Sequence, residues 1–291
     1  MTENEGAKWT ELTQNLPESL RGQWVVRIEP GHQDPKVAYV ALSAYRNGDD
    51  HPMIVRTADG GATWGSVVGD GIPSYAPVEV IREDLTNPNL LYVGTHFGLF
   101  ASFDQGAKWM RLGDVPAVRV DDLHIHPRTN DLVIATHGRS IGIIDDTRPL
   151  RELTPELAAQ PAHLFPVAPA TGTYQLPGWV EWAGKAEFRG KNPPEGAVFT
   201  VWVKEFTGEE LKIAITNAAG SPVANLKSVA AQGLTRLNWD LLPTKDVLTQ
   251  YGGVDPKRLV PSGDYTAELT LGKTKVKQTF RVNVAEGIRT R

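Results

Sequence analysis

The sequence predicts an all-β protein, and three observations lead to that class. Glycine and proline are abundant, at 28 and 21 of 291 residues, which indicates many turns between short elements. Apolar and polar residues alternate with a period of two in segments such as "ELKIAIT" at 210–216, as expected for half-buried strands. A polar turn that ends in tryptophan also recurs along the first half of the chain.

This turn has the frame Ser/Thr-x-Asp/Asn-x-Gly-x-x-Trp. Its hydroxyl and carboxylate can accept hydrogen bonds from backbone N–H groups, and its glycine admits a positive φ. An anion-binding loop would need a helix directly after the glycines, whereas "ATWGSVV" is typical of a strand. We therefore predict three hairpin turns, with Trp64 packed between neighbouring sheets and both Trp64 and Trp109 largely buried. The structural residues are Thr2, Asn4, Gly6, Trp9, Thr57, Asp59, Gly61, Trp64, Ser102, Asp104, Gly106 and Trp109.

A second pattern repeats with a similar period. The segments 34–44, 88–98 and 129–140 align on Tyr39, Tyr92 and Val133, and another apolar strand precedes each of them. Each repeat is thus a set of four short antiparallel strands, which is typical of a β-propeller blade. The sequence predicts about three blades, the last of which lacks the polar turn because "IIDDTRPL" at 143–150 takes its place.

The polar turn resembles the Asp-box (BNR) repeat of sialidases, some glucanases and sortilin-type propellers. The phrases "VIREDLTNPNLLYVGTHFGLFASFD" and "DLVIATHGRSIGIIDD" resemble more closely a bacterial family labelled as BNR-repeat, glycosyl-hydrolase-like or sortilin-like. The resemblance implies a β-propeller that continues upstream of this sequence, and a periplasmic or secreted location, although the sequence shows no signal peptide. On this basis we expect that upstream blades are missing.

Three regions are predicted. Residues 1–150 form the partial Asp-box propeller, and 151–187, rich in proline and alanine, form a connector. Residues 188–291 contain about five alternating segments separated by turn residues and are predicted to form an Ig-like β-sandwich of about seven strands.

Composition excludes several functions. The net charge is −4 without a basic tract, which argues against nucleic acid as a partner, and no apolar run is long enough to span a membrane. Cysteine is absent, which excludes disulfides and thiolate chemistry. We expect no cofactor.

The loops between the second and third strands of each blade open opposite the polar turns and are the candidate binding face. They contain Asp49, Asp50, His51, His96, His137 and Arg139. His96 and His137 occupy the same repeat position and are interpreted first as turn residues bonded to backbone. We predict no catalytic residue and no metal site.

Other chemical groups lack the pattern that catalysis requires. His124 and His126 alternate on one strand and with His137 could bind zinc, but no carboxylate completes a motif. The neighbouring pair Asp121 and Asp122 faces opposite sides of a strand, whereas glycosidase carboxylates stand across a cleft. Trp179 and Trp182 are interpreted as packing residues rather than a sugar platform.

Two functions follow as hypotheses. The first is a non-catalytic protein-binding or scaffold module, whose open propeller edge is covered by another polypeptide, either upstream blades or a complex subunit; a glycan is a second candidate ligand. The alternative is a fragment of an exo-acting glycoside hydrolase or lyase that shares its active site with the missing blades. The uncovered edge is expected at residues 9–30, with an apolar surface formed by Trp9, Leu12, Trp24, Val25 and Val26.

Overall fold

The computed structural model is nearly all β and describes residues 1–2, 4–113, 115–173, 194–206, 208–244, 246–247 and 259–286. Backbone contacts divide the chain into two units, Met1–Thr154 and Pro155–Arg291. No helix of the described residues is long and apolar enough to cross a membrane. Trp179 and Trp182 lie outside the described residues.

Three antiparallel sheets make up the first unit, and in each of them the strands follow one another in chain order. Sheet 1 consists of β1 (Trp24–Pro30), β2 (Ala38–Ala44), β3 (Asp49–Thr57) and β4 (Gly65–Ser66). Sheet 2 consists of β5 (Val78–Glu83), β6 (Leu91–Thr95), β7 (Gly98–Ser102) and β8 (Met110–Arg111). Sheet 3 consists of β9 (Val120–Ile125), β10 (Leu132–Thr136) and β11 (Ile141–Ile144). Within the described residues, sheet 3 therefore has no counterpart of the short fourth strand of the other two.

Two hydrophobic cores join the sheets face to face. The first lies between sheets 1 and 2 and includes Tyr39, Ile54, Ile81 and Trp109. The second lies between sheets 2 and 3 and includes Tyr92, Leu99, Leu123 and Ile134 among others. Sheet 2 thus has both faces covered. Consecutive sheets that stack in chain order in this way are typical of propeller blades.

The outer face of sheet 1 is covered only in part, by the N-terminal segment. Two short 3-10 helices, Thr13–Asn15 and Glu18–Leu20, precede β1. Leu16 and Leu20 of this segment pack on Val40 and Leu42 of β2.

A short helix follows sheet 3 and is held by a buried ion pair. This helix, α1 (Arg148–Glu152), carries Arg151, whose Nε lies 2.7 Å from Oδ1 of the fully buried Asp84. Arg151 also donates to Asn130, so that α1 is fixed to the loops of sheets 2 and 3. Truncating one partner of such a pair would leave a buried charge uncompensated.

The second unit contains a short helix, α2 (Pro155–Ala158), and two sheets around one hydrophobic core. The smaller sheet has the order β12 (Ala162–Leu164), β14 (Ala197–Val203) and β17 (Gly233–Trp239). The larger sheet has the order β13 (Ala170–Gly172), β19 (Thr274–Val284), β18 (Gly263–Leu271), β15 (Glu210–Asn217) and β16 (Pro222–Val229). Strands such as β15 bury alternate residues, and the core contains Phe199, Trp239 and Phe280.

Part of the predicted connector forms strands instead. β12 and β13 lie within 151–187, and each joins one of the two sheets of the second unit, β13 in parallel with β19. Ala162 and Leu164 are buried while His163 is only partly buried, so this segment alternates like a strand. The proline- and alanine-rich composition around such short strands hides the alternation in the sequence.

Candidate functional site

The three polar turns share one hydrogen-bond pattern. The glycine N–H donates to the hydroxyl of the first residue, over 2.9 Å from Gly6 to Thr2 and from Gly61 to Thr57, and over 2.8 Å from Gly106 to Ser102. In the first turn Asn4 replaces the aspartate and its Oδ1 still accepts from the backbone N–H of Lys8 over 2.8 Å.

In the middle turn, the aspartate is held as a carboxylate. Asp59 accepts from the hydroxyl and the backbone N–H of Thr63 and from the hydroxyl of Thr57. These hydrogen bonds lower the pKa of Asp59 to about 2, because they stabilise the charged form.

The tryptophans that end the three turns differ in burial. Trp109 is buried, and its Nε1 donates to the carbonyls of Gly106 and Val67. Trp64 is partly buried and donates to Gly61, whereas Trp9 has 71% of its surface exposed. The turns themselves are therefore equivalent, but their surroundings are not.

The predicted binding-face histidines His96 and His137 belong to one network of close polar contacts. His96 Nε2 lies 2.6 Å from Glu79 Oε1, and Arg119 contacts both Glu79, at 3.3 Å, and Asp121, at 2.6 Å. His137 Nδ1 lies 3.4 Å from the other oxygen of Asp121. The network spans sheets 2 and 3 where β5 and β9 begin.

The backbone of each histidine is also hydrogen-bonded to a residue just before an inner strand. The N–H of His96 donates to Pro77, and the N–H of His137 donates to Arg119. Sequence reasoning missed Glu79 and Arg119, because Glu79 lies on β5 and Arg119 directly precedes β9, outside the loops that were considered. The one feature of the sequence that could have indicated Glu79 and Arg119 is their position, because each lies at or just before the start of the strand that precedes its histidine hairpin.

The remaining candidates of this face do not join the network. Asp49 accepts from the backbone N–H of His51 and lies 2.7 Å from its ring Nδ1; His51 is largely exposed and Asp49 is half-buried. The backbone hydrogen bond is the first cause of a lowered pKa of Asp49. Asp50 and Arg139 are exposed.

Three exposed aromatic side chains lie around the hairpin of His96. Tyr45 meets the His96 ring edge to face with centroids 4.7 Å apart, and Tyr75 meets Phe97 in the same way at 5.4 Å. Exposed aromatic rings beside charged groups are typical of binding surfaces.

A second polar cluster joins the inner strands of all three sheets. Arg82 of β5 lies 2.6 Å from Glu29 of β1 and 3.0 Å from Asp122 of β9. Arg27 of β1 also contacts Asp122, at 2.7 Å. Asp121 and Asp122 therefore enter two different clusters, and in both of them arginine neutralises the carboxylates.

The outer faces of the three-sheet stack carry residues that correspond to buried ones inside it. Ile141 of sheet 3 occupies the same position in the strand register as Ile54, which lies opposite Ala41, and as Leu99, which lies opposite Gly94. Ile54 and Leu99 are 1% and 0% exposed, whereas Ile141 is 65% exposed.

The other end of the stack shows the same contrast. Ile28 of sheet 1 corresponds to Ile81 of sheet 2 and Leu123 of sheet 3. Ile81 and Leu123 are fully buried, but Ile28 is 64% exposed. Exposed neighbours of these residues include Val25 on β1 and Ile143 on β11. Both ends of the stack therefore expose apolar side chains of the kind that pack between two sheets, and at each end only one of those two sheets is present among the described residues.

No protein-family model and no curated protein matches the chain. Among solved structures it is similar to PorZ, a surface component of the type-IX secretion system of Porphyromonas gingivalis, with 16% identity and a TM-score of 0.34 over 89% of this chain. It is also similar to the Niastella koreensis GH74 enzyme and to YCF48 bound to D1 peptide, each at 12% identity, with TM-scores of 0.34 and 0.32 over 88% and 91% of this chain.

The chain spans 32% of PorZ, 38% of the GH74 enzyme and 69% of YCF48. At these identities and TM-scores neither a family nor an activity transfers to this chain. The prediction of a nearly all-β chain is confirmed by the antiparallel sheets described above, and their stacking in chain order is typical of propeller blades.

Proposed function

We propose that this chain is a non-catalytic assembly module, in which another polypeptide covers the outer faces of the stacked sheets. In this proposal the first unit is a three-blade segment of an Asp-box propeller, and the second unit is an Ig-like sandwich. The loop-end network of His96 and His137 holds hairpins in place rather than performing chemistry.

The three equivalent turns support the assignment of the first unit. Each turn joins, or in the first copy is expected to join, the third and fourth strands of a blade, and each uses a hydroxyl and a carboxylate or amide oxygen to bind backbone N–H groups. Such a turn satisfies donors that a hairpin would otherwise leave to water.

Strand order supports the Ig-like assignment of the second unit. One sheet has three strands, the other contains the last two strands as neighbours, and β13 pairs in parallel with the final strand, β19. Tyr265, at the start of the penultimate strand, donates its hydroxyl to the carbonyl of Pro261 over 2.8 Å. A tyrosine bonded back to the backbone at this corner is a feature of immunoglobulin domains.

The observation that carries the proposal is the exposure of Ile28 and Ile141 at positions that are buried in every internal junction. Fully burying an isoleucine contributes about 1.5–3 kcal/mol. Several such residues on one sheet face favour association over contact with water.

Light scattering of the isolated chain at several concentrations, with a hydrophobic dye present, tests the proposal. We expect either association above the 31.8 kDa of one chain or a monomer that binds the dye. A monodisperse monomer without dye binding would contradict an open apolar face. In parallel, a panel of sialosides and glucans should remain intact, since hydrolysis of any of them would refute the non-catalytic role.

A further inference from the structure

We propose that the loop ends of sheets 1, 2 and 3 bind an extended acidic segment of another protein. This loop face is the end of the stack opposite the polar turns, and its binding residues are Tyr45, Arg46, Tyr75, Phe97 and Arg139. The inference goes beyond the proposed function, because it concerns a different surface from the outer apolar faces. It follows from the exposed aromatic rings, from arginines that form no ion pair among the described residues, and from the position of lysine in the first unit.

The direction of the strands brings these residues to one end of the stack. The hairpins that connect β2 to β3 and β6 to β7 carry Tyr45 and Phe97. Tyr75 lies in the loop that enters β5, and this loop is at the same end because the first residue of β5 pairs with the last residue of β6. Arg139 lies on the hairpin from β10 to β11. The polar turns follow β3 and β7 and therefore lie at the other end.

The aromatic rings form a connected row over sheets 1 and 2. Tyr45 contacts the ring of His96, which directly precedes Phe97, and Tyr75 contacts the ring of Phe97. The two pairs of rings are inclined at 72° and 81°. Such pairs form corners rather than a flat platform, and a corner suits an inserted apolar side chain better than the face of a sugar ring. Tyr45, Tyr75 and Phe97 are 50%, 61% and 42% exposed, so these corners are accessible.

Two arginines of the loop face can each bind a carboxylate of a ligand. The Cζ atom of Arg46 lies 5.7 Å from the ring centroid of Trp24, and Arg139 is exposed on its hairpin. Neither forms an ion pair with a residue that the structure describes, and of the carboxylates near them only Asp50 is likewise without one. The carboxylates of the histidine network already face Arg119. A guanidinium group binds a carboxylate through two parallel N–H···O bonds, which favours an acidic ligand.

The lysines of the first unit all lie at the other end of the stack. Residues 1–154 contain three of them, Lys8, Lys36 and Lys108. The backbone N–H groups of Lys8 and Lys108 belong to two of the polar turns, and the carbonyl of Lys36 accepts from Gly60 in the remaining turn. Protein interfaces are enriched in tyrosine, tryptophan, phenylalanine and arginine and depleted in lysine. The loop face has this composition, which favours a polypeptide over a glycan as its ligand.

The polar network beside the rings holds the loop face in shape before binding. His96 lies 2.6 Å from Glu79, which also faces Arg119 at 3.3 Å. The backbone N–H groups of His96 and His137 fix the two hairpins to the loops that enter β5 and β9. Side chains that are already ordered lose less conformational entropy when a ligand binds.

The spacing of the sheets sets the length of the bound segment. Arg46 and Arg139 lie on hairpins of sheets 1 and 3, and the hairpin of sheet 2 lies between them. Packed sheets are about 10 Å apart, so the two arginines are about 20 Å apart. An extended chain advances about 3.3 Å per residue, so the acidic residues of the segment are about six positions apart. An apolar residue between them contacts Tyr75 and Phe97.

Selection from a random dodecapeptide library displayed on phage tests the inference. The full chain is immobilised, and the binders are counter-selected against the double variant Arg46→Ser and Arg139→Ser. We expect peptides with two acidic residues about six positions apart and an apolar residue between them. No enrichment, or enrichment of neutral or basic peptides, overturns the proposal.

The most enriched peptide is then synthesised, and its affinity for single variants is measured by fluorescence anisotropy. Tyr75→Ala and Phe97→Ala should each weaken binding about tenfold or more, because aromatic residues at the centre of an interface carry much of its affinity. The matched controls are Phe206→Ala, an equally exposed ring of the second unit, and Lys108→Ala, at the polar-turn end. Both controls should leave the affinity unchanged. A loss that is the same in all four variants contradicts the assigned site.

A charge exchange tests the arginines without relying on loss of binding. A peptide whose acidic residues are replaced by lysine should bind the double variant Arg46→Glu and Arg139→Glu at least about tenfold more tightly than it binds the wild type. Lysine-peptide binding that is no tighter to the variant than to the wild type overturns the acidic ligand.

Other results separate this inference from the proposed function. Ile28→Glu alters an outer face and should leave the peptide affinity unchanged even where it abolishes association. Peptide binding by a monomer that does not bind the dye supports this inference and contradicts the proposed function, whereas association or dye binding without peptide binding does the reverse. Binding of sialosides or glucans that is lost in Tyr75→Ala, without an enriched peptide, identifies a glycan site instead and overturns the acidic segment.

Discussion

Sheet 2 and sheet 3 are built from the same repeat, yet only sheet 2 is complete. Sheet 2 has four strands, a polar turn, a buried tryptophan and a neighbour on each face. In the part of the chain that the structure describes, sheet 3 has three strands, no polar turn and one neighbouring sheet, and its isoleucines on the other side are exposed. The difference shows that the apolar residues of a strand mark a face suited to packing on a neighbouring sheet, even where that sheet is not part of the same three-sheet stack.

Among the substitutions that test this comparison, those of the three turn tryptophans should include the largest effect on stability. Trp109→Ala should lower the free energy of unfolding by about 3–5 kcal/mol, since its ring is buried between sheets 1 and 2. Trp64→Ala should have a smaller effect, and Trp9→Ala should change stability by less than about 1 kcal/mol in dilute solution. Urea unfolding of the three variants gives the order, and a loss near 1 kcal/mol for Trp109→Ala would contradict its structural role.

A second pair compares one position in two sheets. Leu99→Ala should lower the free energy of unfolding by about 2–5 kcal/mol, because Leu99 is fully buried between sheets 2 and 3. Ile141→Ala, at the corresponding position of sheet 3, should stay within about 0.5 kcal/mol of the wild type. Both are measured by chemical unfolding below the concentration of association. Equal losses would show that the free face of sheet 3 is packed.

High pH tests the junction of sheets 1 and 2 separately. Burial raises the pKa of Tyr39 to about 12, and the hydrogen bond to Glu83 acts in the same direction. The unfolded chain ionises this tyrosine near pH 10, so stability is full below that pH and falls as the pH rises towards 12. Tyr39→Phe should remove this part of the alkaline loss in urea unfolding at pH 9 to 11. An unchanged pH dependence would show that Tyr39 is not the group responsible.

The smallest expected effect distinguishes two of the polar turns. Asp59 has a pKa of about 2, and the unfolded value is near 4, so its contribution is present above pH 4 and is lost as the pH falls towards 2. Asn4 forms the same backbone bond in the first turn without a charge. Asp59→Asn should therefore keep the turn but flatten the acid limb of the stability curve. A steeper acid limb in that variant would contradict the assignment.

Sequence reasoning succeeded where a residue acts through its own strand or turn. The glycines and hydroxyls of the turns bond within five residues, so their spacing is visible in the sequence. It failed for Glu79 and Arg119, because their partners come from a neighbouring hairpin or sheet. It also missed β12 and β13, which are only three residues long and depend on pairing with distant strands.

The outer faces of the three-sheet stack were predicted from the sequence only in part. Of the five apolar residues predicted at the edge of 9–30, Trp9, Trp24 and Val25 are exposed. Leu12 and Val26 are partly buried, and Val26 packs on the core between sheets 1 and 2 instead. The free face of sheet 3 was not anticipated, because Ile141 and Ile143 read like any buried strand. Only the burial of their counterparts in sheets 1 and 2 marks them as uncovered.

The most direct test of the account introduces one charge at an outer face and measures association and folding together. Ile28→Glu is compared with Val229→Glu, an equally exposed residue of the second unit, by light scattering and urea unfolding. The account predicts that Ile28→Glu abolishes association, or lowers dye binding where the wild type is a monomer, while the free energy of unfolding in dilute solution changes by less than about 0.5 kcal/mol. Val229→Glu should change none of these properties. Association that persists unchanged in Ile28→Glu would contradict the claim that another polypeptide packs on this face.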